Sequence, residues 1–210
     1  MIKKIVLAII VAIIVIICGV YIYSNRTSSA DESFKSFISD CNKFQLDSAK
    51  EYVNPNGDLS KGISQIQNYN SMKQAAMKNW LKAIKVNILS TKKENGEAVL
   101  VAEIYSPNGK EIYNEFQQSM DNLNIDSQTI QDNNLNGDFL GAQYNNAFTN
   151  AIDDNINNVV HTNVEIKMKR NLGAWKITND DQVITALLGG LTSNAVISLL
   201  IYRNFLAKIV

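Results

Sequence analysis

The sequence predicts an α+β protein in which a mainly antiparallel sheet packs on helices, preceded by one transmembrane helix. Apolar residues recur at helical spacing over most of the chain, and in two short regions the spacing changes to alternation. Each alternating region contains its own turn, so each is expected to be a local hairpin. Hairpins give antiparallel pairs, and the apolar face of the resulting sheet needs cover that amphipathic helices can supply.

The N-terminal run predicts the membrane helix. Residues 5–23 carry no charge and follow Lys3 and Lys4. As a helix the run would span roughly 28 Å, close to the hydrocarbon thickness of a bilayer. The lysines predict a cytoplasmic N-terminus, with the following domain outside the cell. The alternative is a signal peptide cleaved near Ala30, which would release the domain. Ile17 before Cys18 does not suit a lipoprotein signal.

Composition excludes several function classes. The chain has 20 basic and 20 acidic residues and no net charge, so nothing favours nucleic-acid binding. Its one histidine, His161, excludes multi-histidine metal sites, and we find no phosphate loop or nucleophile motif. We therefore expect no metal and no cofactor. Cys18 and Cys41 are not expected to form a disulfide, and Cys41 is expected to be buried. The Asn-, Lys- and Ile-rich composition is typical of a low-GC Gram-positive bacterium.

The first part of the external chain predicts three helices. Asp31 is expected to cap the first and Asp47 a short second one that ends at the turn after Val53. A single long third helix is expected from about Leu59 to Ala83. Their apolar positions, at helical spacing, are Phe34, Phe37, Ile38, Cys41 and Phe44, then Ile63, Ile66, Tyr69, Met72, Ala76, Met77, Trp80, Leu81 and Ile84.

Two hairpins and two helices follow. The first hairpin turns at Asn95-Gly96, and the second turns near residues 172–174. In the returning strand of the first hairpin, Leu100, Ala102 and Ile104 are expected to face inward and Glu103 outward. Between the hairpins lie two amphipathic segments with apolar residues at Ile112, Tyr113, Phe116 and Met120, then at Phe139, Leu140, Tyr144, Phe148, Ala151, Ile152 and Ile156. Asp180 is expected to cap a closing helix.

Three features in order resemble a known family. They are residues 45–53 (QLDSAKEYV), the two hairpins separated by helices, and residues 173–181 (GAWKITNDD) running into 186–191 (ALLGGL). They resemble extracytoplasmic lipoproteins and anchored proteins of Gram-positive bacteria with a nuclear-transport-factor-2-like, or cystatin-like, fold. The resemblance covers roughly residues 31–191. It implies a curved sheet around a long helix, a cone with a pocket, and no assigned activity.

The predicted organisation therefore has four parts. Residues 1–23 form the anchor, 24–30 a linker, 31–191 the domain and 192–210 an apolar tail. Residues 183–202 also carry no charge and could form a second span, but their polar residues and glycine pair favour a closing helix, a turn and a short apolar helix over 195–208.

The function we predict is binding at the outer side of the membrane. Trp80, Tyr105, Tyr113 and Trp175 are the residues we expect to line a pocket, although core packing is the more common role of buried tryptophans. The predicted partners are the membrane, through residues 5–23, and an envelope protein, through residues 195–210. One alternative is a scaffold subunit of an envelope or secretion assembly. The other is an enzyme that uses a pocket carboxylate or tyrosine.

Overall fold

The computed structural model describes residues 29–123, 137–171 and 174–192. The predicted anchor at 5–23 and the tail at 195–210 lie outside these residues. Among the helices in the described ranges, none has both the length and the apolar character needed to cross a bilayer. The elements are α1 Ala30–Asn42, α2 Leu46–Lys50, α3 Asp58–Gln67, α4 Ser71–Ala83, β1 Lys85–Glu94, β2 Glu97–Pro107, α5 Gly109–Asn122, α6 Gly137–Asn155, β3 Val159–Asn171, β4 Ala174–Ile177 and α7 Asp180–Leu187.

The four strands form one antiparallel sheet in the order β1-β2-β3-β4, which confirms the predicted α+β class and the antiparallel pairing. Asn95 and Gly96 turn the first hairpin with φ of 49° and 79°, the positive values that an Asn-Gly hairpin turn adopts. A bulge interrupts β1 between Ile88 and Ser90. The β2–β3 pairing runs without a register shift from Glu97–Lys169 to Pro107–Val159.

Only one face of the sheet is covered by the described helices. Helix α1 contacts β1, β2 and β4, α4 contacts β2, and α7 contacts β2 and β3. The strand residues buried on this inner face alternate along each strand, as a half-buried antiparallel sheet requires. They are Ala98, Leu100, Ala102, Ile104 and Ser106 on β2, Val164, Ile166 and Met168 on β3, and Trp175 and Ile177 on β4.

The core between sheet and helices matches most of the predicted apolar faces. Phe34, Phe37 and Cys41 of α1 are buried, and so are Trp80 of α4 and Phe148 of α6. Burial raises the pKa of the Cys41 thiol to about 12, so this cysteine behaves as a small apolar residue. Two positions predicted to face inward, Met72 and Phe139, are instead exposed.

Three predicted helix starts are wrong. Ser29, not Asp31, caps α1: its hydroxyl accepts from the Glu32 N–H and the Glu32 carboxylate accepts from the Ser29 N–H. Gln45 is the N-cap residue of α2, and Asp47 lies in the first turn of that helix. Asn179 is the N-cap residue of α7, and Asp180 lies in the first turn, with its carboxylate accepting from the Leu59 N–H of α3.

The single helix predicted from Leu59 to Ala83 is two helices. Helix α3 ends at Gln67 and α4 begins at Ser71. Asn70 makes the break, since its side-chain oxygen accepts a 3.0 Å hydrogen bond from the Lys73 N–H and so caps α4. The apolar spacing continues across the break, which is why periodicity alone does not detect it.

The first turn of α3 is capped by a residue from the far end of the chain. Its N-cap residue, Gly57, has no side chain that could accept a hydrogen bond. The Asp180 carboxylate lies there instead and accepts a 3.1 Å hydrogen bond from the Leu59 N–H. Burial raises the pKa of Asp180, and the nearby carboxylates of Asp58 and Asp181 raise it further, against the hydrogen bonds.

Candidate functional site

Two of the four predicted pocket residues are tryptophans in the core. Trp80 is buried on α4, and its Nε1–H donates a 3.0 Å hydrogen bond to the Leu187 carbonyl of α7. Trp175 is buried on the inner face of β4, with the Arg170 guanidinium 5.9 Å from its ring centroid. Both side chains therefore join elements of the fold.

The two predicted pocket tyrosines are half-buried in different places. Tyr113 lies on α5 and packs against the edge of the core. Tyr105 lies on β2, where it points to the outer face of the sheet. Its hydroxyl donates a 3.3 Å hydrogen bond to the Glu103 carboxylate, which also accepts one of 3.2 Å from the Asn87 amide. The negative charge of Glu103 raises the pKa of Tyr105.

The strand register separates these side chains. Tyr105 pairs with His161 near one end of the sheet, whereas Trp175 pairs with Arg170 near the other. At about 3.3 Å per residue, the nine positions between His161 and Arg170 correspond to about 30 Å. Tyr105 and Trp175 also lie on opposite faces, so these two do not share one pocket. A ligand contact by any of the four remains a prediction.

The outer face of the sheet is open to solvent and mixed in charge. Lys167 lies 3.7 Å from Glu165, and Lys169 lies 3.4 Å from Glu97. Glu103 points outward, as predicted from the alternation, and Glu165 on β3 also points outward. His161 is exposed on this face, and its ring centroid lies 5.9 Å from that of Tyr105. Within the described ranges, no group of three acidic, histidine or cysteine residues is arranged to hold a metal.

Among the described residues, the edge of β3 has no neighbour over half its length. Strand β4 pairs with β3 only over Met168–Asn171. The next two edge positions are bonded by residues after β4: the Thr178 N–H donates to the Lys167 carbonyl, and the Asn179 amide donates to the Glu165 carbonyl. Along β3 every second residue directs its N–H and C=O groups to this edge. Beyond Lys167 and Glu165, these residues are Asn163, His161 and Val159. No hydrogen bond from the described part of the chain reaches them.

This free stretch lacks the features that usually protect a sheet edge. Residues 159–164 (VVHTNV) are rich in β-branched residues and contain no proline, lysine or glycine. Their pairing with β2 is continuous, so no bulge twists them away, and Val159 is 48% exposed. The opposite edge, β1, has the bulge next to Leu89 and exposed lysines at positions 85, 92 and 93. The free half of β3 therefore remains competent to pair with another strand.

A second cluster lies between α4 and α6. The Lys73 ammonium is 4.3 Å from the ring centroid of Tyr144, 5.8 Å from that of Tyr69 and 6.0 Å from that of Phe148. Burial lowers the pKa of Lys73 and raises that of Tyr69. The Tyr69 hydroxyl is buried and has no hydrogen-bond partner within the described ranges. This arrangement binds the lysine to aromatic faces and joins the two helices.

An open depression of about 480 Å³ lies where α1 to α4 meet. Its lining residues are Phe44, Gln45, Leu46, Asp47, Ser48, Gln67 and Gln74. The polar groups of this lining bond to one another: the Gln67 amide donates to Asp47, and the Gln74 amide donates to the Gln67 and Tyr69 carbonyls. None of the four predicted pocket residues lines it.

Neither the free edge of β3 nor the Lys73 cluster was predicted from the sequence. The signal for the edge was present, because the second strand of the second hairpin is much shorter than the first and residues 159–164 lack protecting residues. The Lys73 cluster depends on how α6 packs on α4. No spacing within either helix indicates that contact.

Comparisons with known proteins give a distant structural similarity. No protein-family model matches the chain, and no curated protein matches it. Among solved structures, the crystal structure of a candidate lipoprotein (YcdA) from Bacillus subtilis is similar over 78% of this chain and 50% of its own length, at 13% identity and a TM-score of 0.39. The chain thus spans half the length of that protein.

Proposed function

We propose that this protein is an extracytoplasmic interaction protein, anchored by residues 5–23, that recognises another protein by pairing with the free edge of β3. The observation that carries the proposal is the row of edge-facing N–H and C=O groups at Val159, His161 and Asn163. Backbone groups at a sheet edge can bind an extended strand, and the pairing supplies affinity without a preformed pocket. The mixed-charge outer face beside this edge would supply side-chain contacts.

The location and the finer fold are part of the same proposal. The charge-free run after Lys3 and Lys4 supports an anchored domain outside the cell. The resemblance of residues 31–191 to the nuclear-transport-factor-2-like family supports a curved sheet, and the antiparallel sheet with helices on one face is compatible with it. We favour binding over catalysis because the polar cluster of Glu103, Tyr105 and His161 lies on an open face in water, where electrostatic stabilisation of a reaction is weak.

Photocrosslinking in cells tests the proposal. A photoreactive amino acid at Asn163 of the full chain should capture a reproducible protein after irradiation. The matched control is the same amino acid at Lys92, which is exposed on β1 at the opposite edge of the sheet. We expect capture at position 163 and none at 92. Equal capture at both positions, or none at either, would contradict the proposal. Repeating the experiment without residues 195–210 tests whether the tail contributes to docking.

A further inference from the structure

We infer that the strand that pairs with the free edge of β3 is the β3 strand of a second copy of this chain, related by a two-fold axis at His161. This inference rests on the proposed function and names its partner. It concerns the stretch from Val159 to Asn163, where β3 has no neighbour among the described residues.

The first argument is the symmetry of the register. A two-fold axis at His161 pairs antiparallel strands so that His161 faces the second copy's His161, and Val159 faces the second copy's Asn163. Each of these residues directs its N–H and C=O to the edge, so every such group finds a partner in a hydrogen-bonded pair. A centre at an even-numbered position would leave fewer of the edge groups matched.

The second argument is charge. Self-pairing brings identical segments together, so a charged residue near the axis would meet its own charge, which disfavours pairing. The VVHTNV stretch contains no lysine, arginine or carboxylate. Charged residues begin at Glu165, where Asn179 already occupies the edge. The stretch that would pair between copies therefore contains no charge, and the charged part of β3 is already occupied within the chain.

The third argument is the contrast between the two edges of the sheet. Strand β1 has lysines and a bulge, which block pairing with other chains. The short edge strand β4 is bridged at Ile177 by Val53, so the free half of β3 is the longer stretch available for pairing among the described strands. Pairing two copies there gives a sheet of eight strands with a β1 edge at each end. Such an assembly is finite and does not polymerise.

The geometry also suits two anchored chains. The two-fold axis of a continuous antiparallel sheet is perpendicular to the sheet, so both copies present their helices on the same side. Helix α1, which follows the proposed anchor, lies on that side. Strand pairing over five residues buries little surface, so association is expected to depend on the high local concentration at a membrane.

Disulfide trapping in membranes that contain the full chain tests the register. In a hydrogen-bonded antiparallel pair the Cα atoms are about 5.5 Å apart, a distance that suits a disulfide. With mild oxidation, His161→Cys should give a disulfide-linked dimer on a non-reducing gel. The matched variant Asn163→Cys should stay monomeric, because its copies would be about 13 Å apart along the strands. The double variant V159C/N163C should cross-link again.

The wild-type chain, with Cys18 and the buried Cys41, gives the background. Equal cross-linking of all cysteine variants would indicate random collision and overturn the inference, and so would a monomeric His161→Cys chain. If that chain stays monomeric while the photoreactive residue at 163 captures a different protein, the inference fails and the proposed function stands. If nothing is captured, both fail.

A charge exchange gives an independent readout. His161→Lys and His161→Asp should each weaken co-purification of two differently tagged copies from solubilised membranes, because like charges then meet on the axis. Co-expressing one His161→Lys copy with one His161→Asp copy should restore the co-purification, because opposite charges then meet on the axis. Val101→Lys, on the outer face of the central strand β2, should leave it unchanged. Failure of the mixture to recover, with normal tryptophan fluorescence, would contradict a self-facing His161.

Discussion

Individual residues hold together parts of this chain that are far apart in sequence. Asp180 caps α3 by accepting from the Leu59 N–H, 121 positions before it. The glycine at the N-cap of α3 makes room for this carboxylate. A Cβ atom at Gly57 would lie 2.0 Å from Asp180 Oδ2, closer than real contacts allow. The capping pair is therefore Gly57 and Asp180 together.

Gly57→Ala should destabilise the protein because the new methyl group displaces the Asp180 carboxylate from the Leu59 N–H. Loss of an N-cap costs about 1 kcal/mol, which for a chain of this size lowers Tm by about 2–4 °C. Thermal unfolding of the solubilised full chain, followed by tryptophan fluorescence, measures it. Gly62→Ala in the same helix has open space around its Cβ and should instead stabilise slightly. If Gly57→Ala lowers the stability equally in an Asp180→Ala background, where the carboxylate is absent, this explanation is contradicted.

The raised pKa of Asp180 predicts a pH dependence of stability. A folded-state pKa above the unfolded value of 3.8 means that the folded protein holds this proton more tightly. The resulting stabilisation is present at acid pH and is lost as the pH rises through the folded pKa. From about pH 4 to about pH 7, wild type should therefore lose stability relative to Asp180→Asn. Parallel unfolding curves at each pH test it, and a constant difference would rule it out.

At the scale of elements, the break between α3 and α4 depends on one side chain. Asn70→Ala removes the bond to the Lys73 N–H and should cost about 1 kcal/mol of unfolding free energy, while Asn70→Asp should retain most of it. Asn68→Ala is the control, since the Asn68 side chain makes no hydrogen bond to the described residues. Thermal unfolding compares the three variants. Equal losses at positions 68 and 70 would show that general helix propensity is responsible.

The elements also show what the sequence could and could not predict. The alternation along β2 and the Asn95-Gly96 turn could be predicted from the sequence, because both are determined by neighbouring residues. The start of α1 was missed by two positions because Ser29, inside the expected linker, completes a capping box with Glu32. The cap of α3 by Asp180 was unpredictable, since it requires the tertiary fold. The Lys73 cluster was unpredictable for the same reason.

For the whole molecule, the proposed topology can be tested by chemical labelling. Asn163→Cys in the full chain should react with a membrane-impermeant maleimide on intact cells, because position 163 is exposed. The wild-type chain should not react, since Cys41 is 3% exposed and its pKa is raised to about 12. Ile2→Cys, before the anchor, should react only after permeabilisation. Reaction of Asn163→Cys only after permeabilisation would place the domain inside.

The positions at which the described chain begins and ends have a mechanical consequence. Asp31 lies 3.8 Å from Lys93, beside the first hairpin turn, whereas Leu191 packs on Gly109, just beyond the last residue of β2. These places are at opposite ends of β2, about 33 Å apart. A force between them acts along β2 and reaches the sheet through the packing of α1 and of Leu191. A domain pulled at these two places is therefore loaded first at its helix–sheet contacts, and no strand is peeled from its neighbour bond by bond.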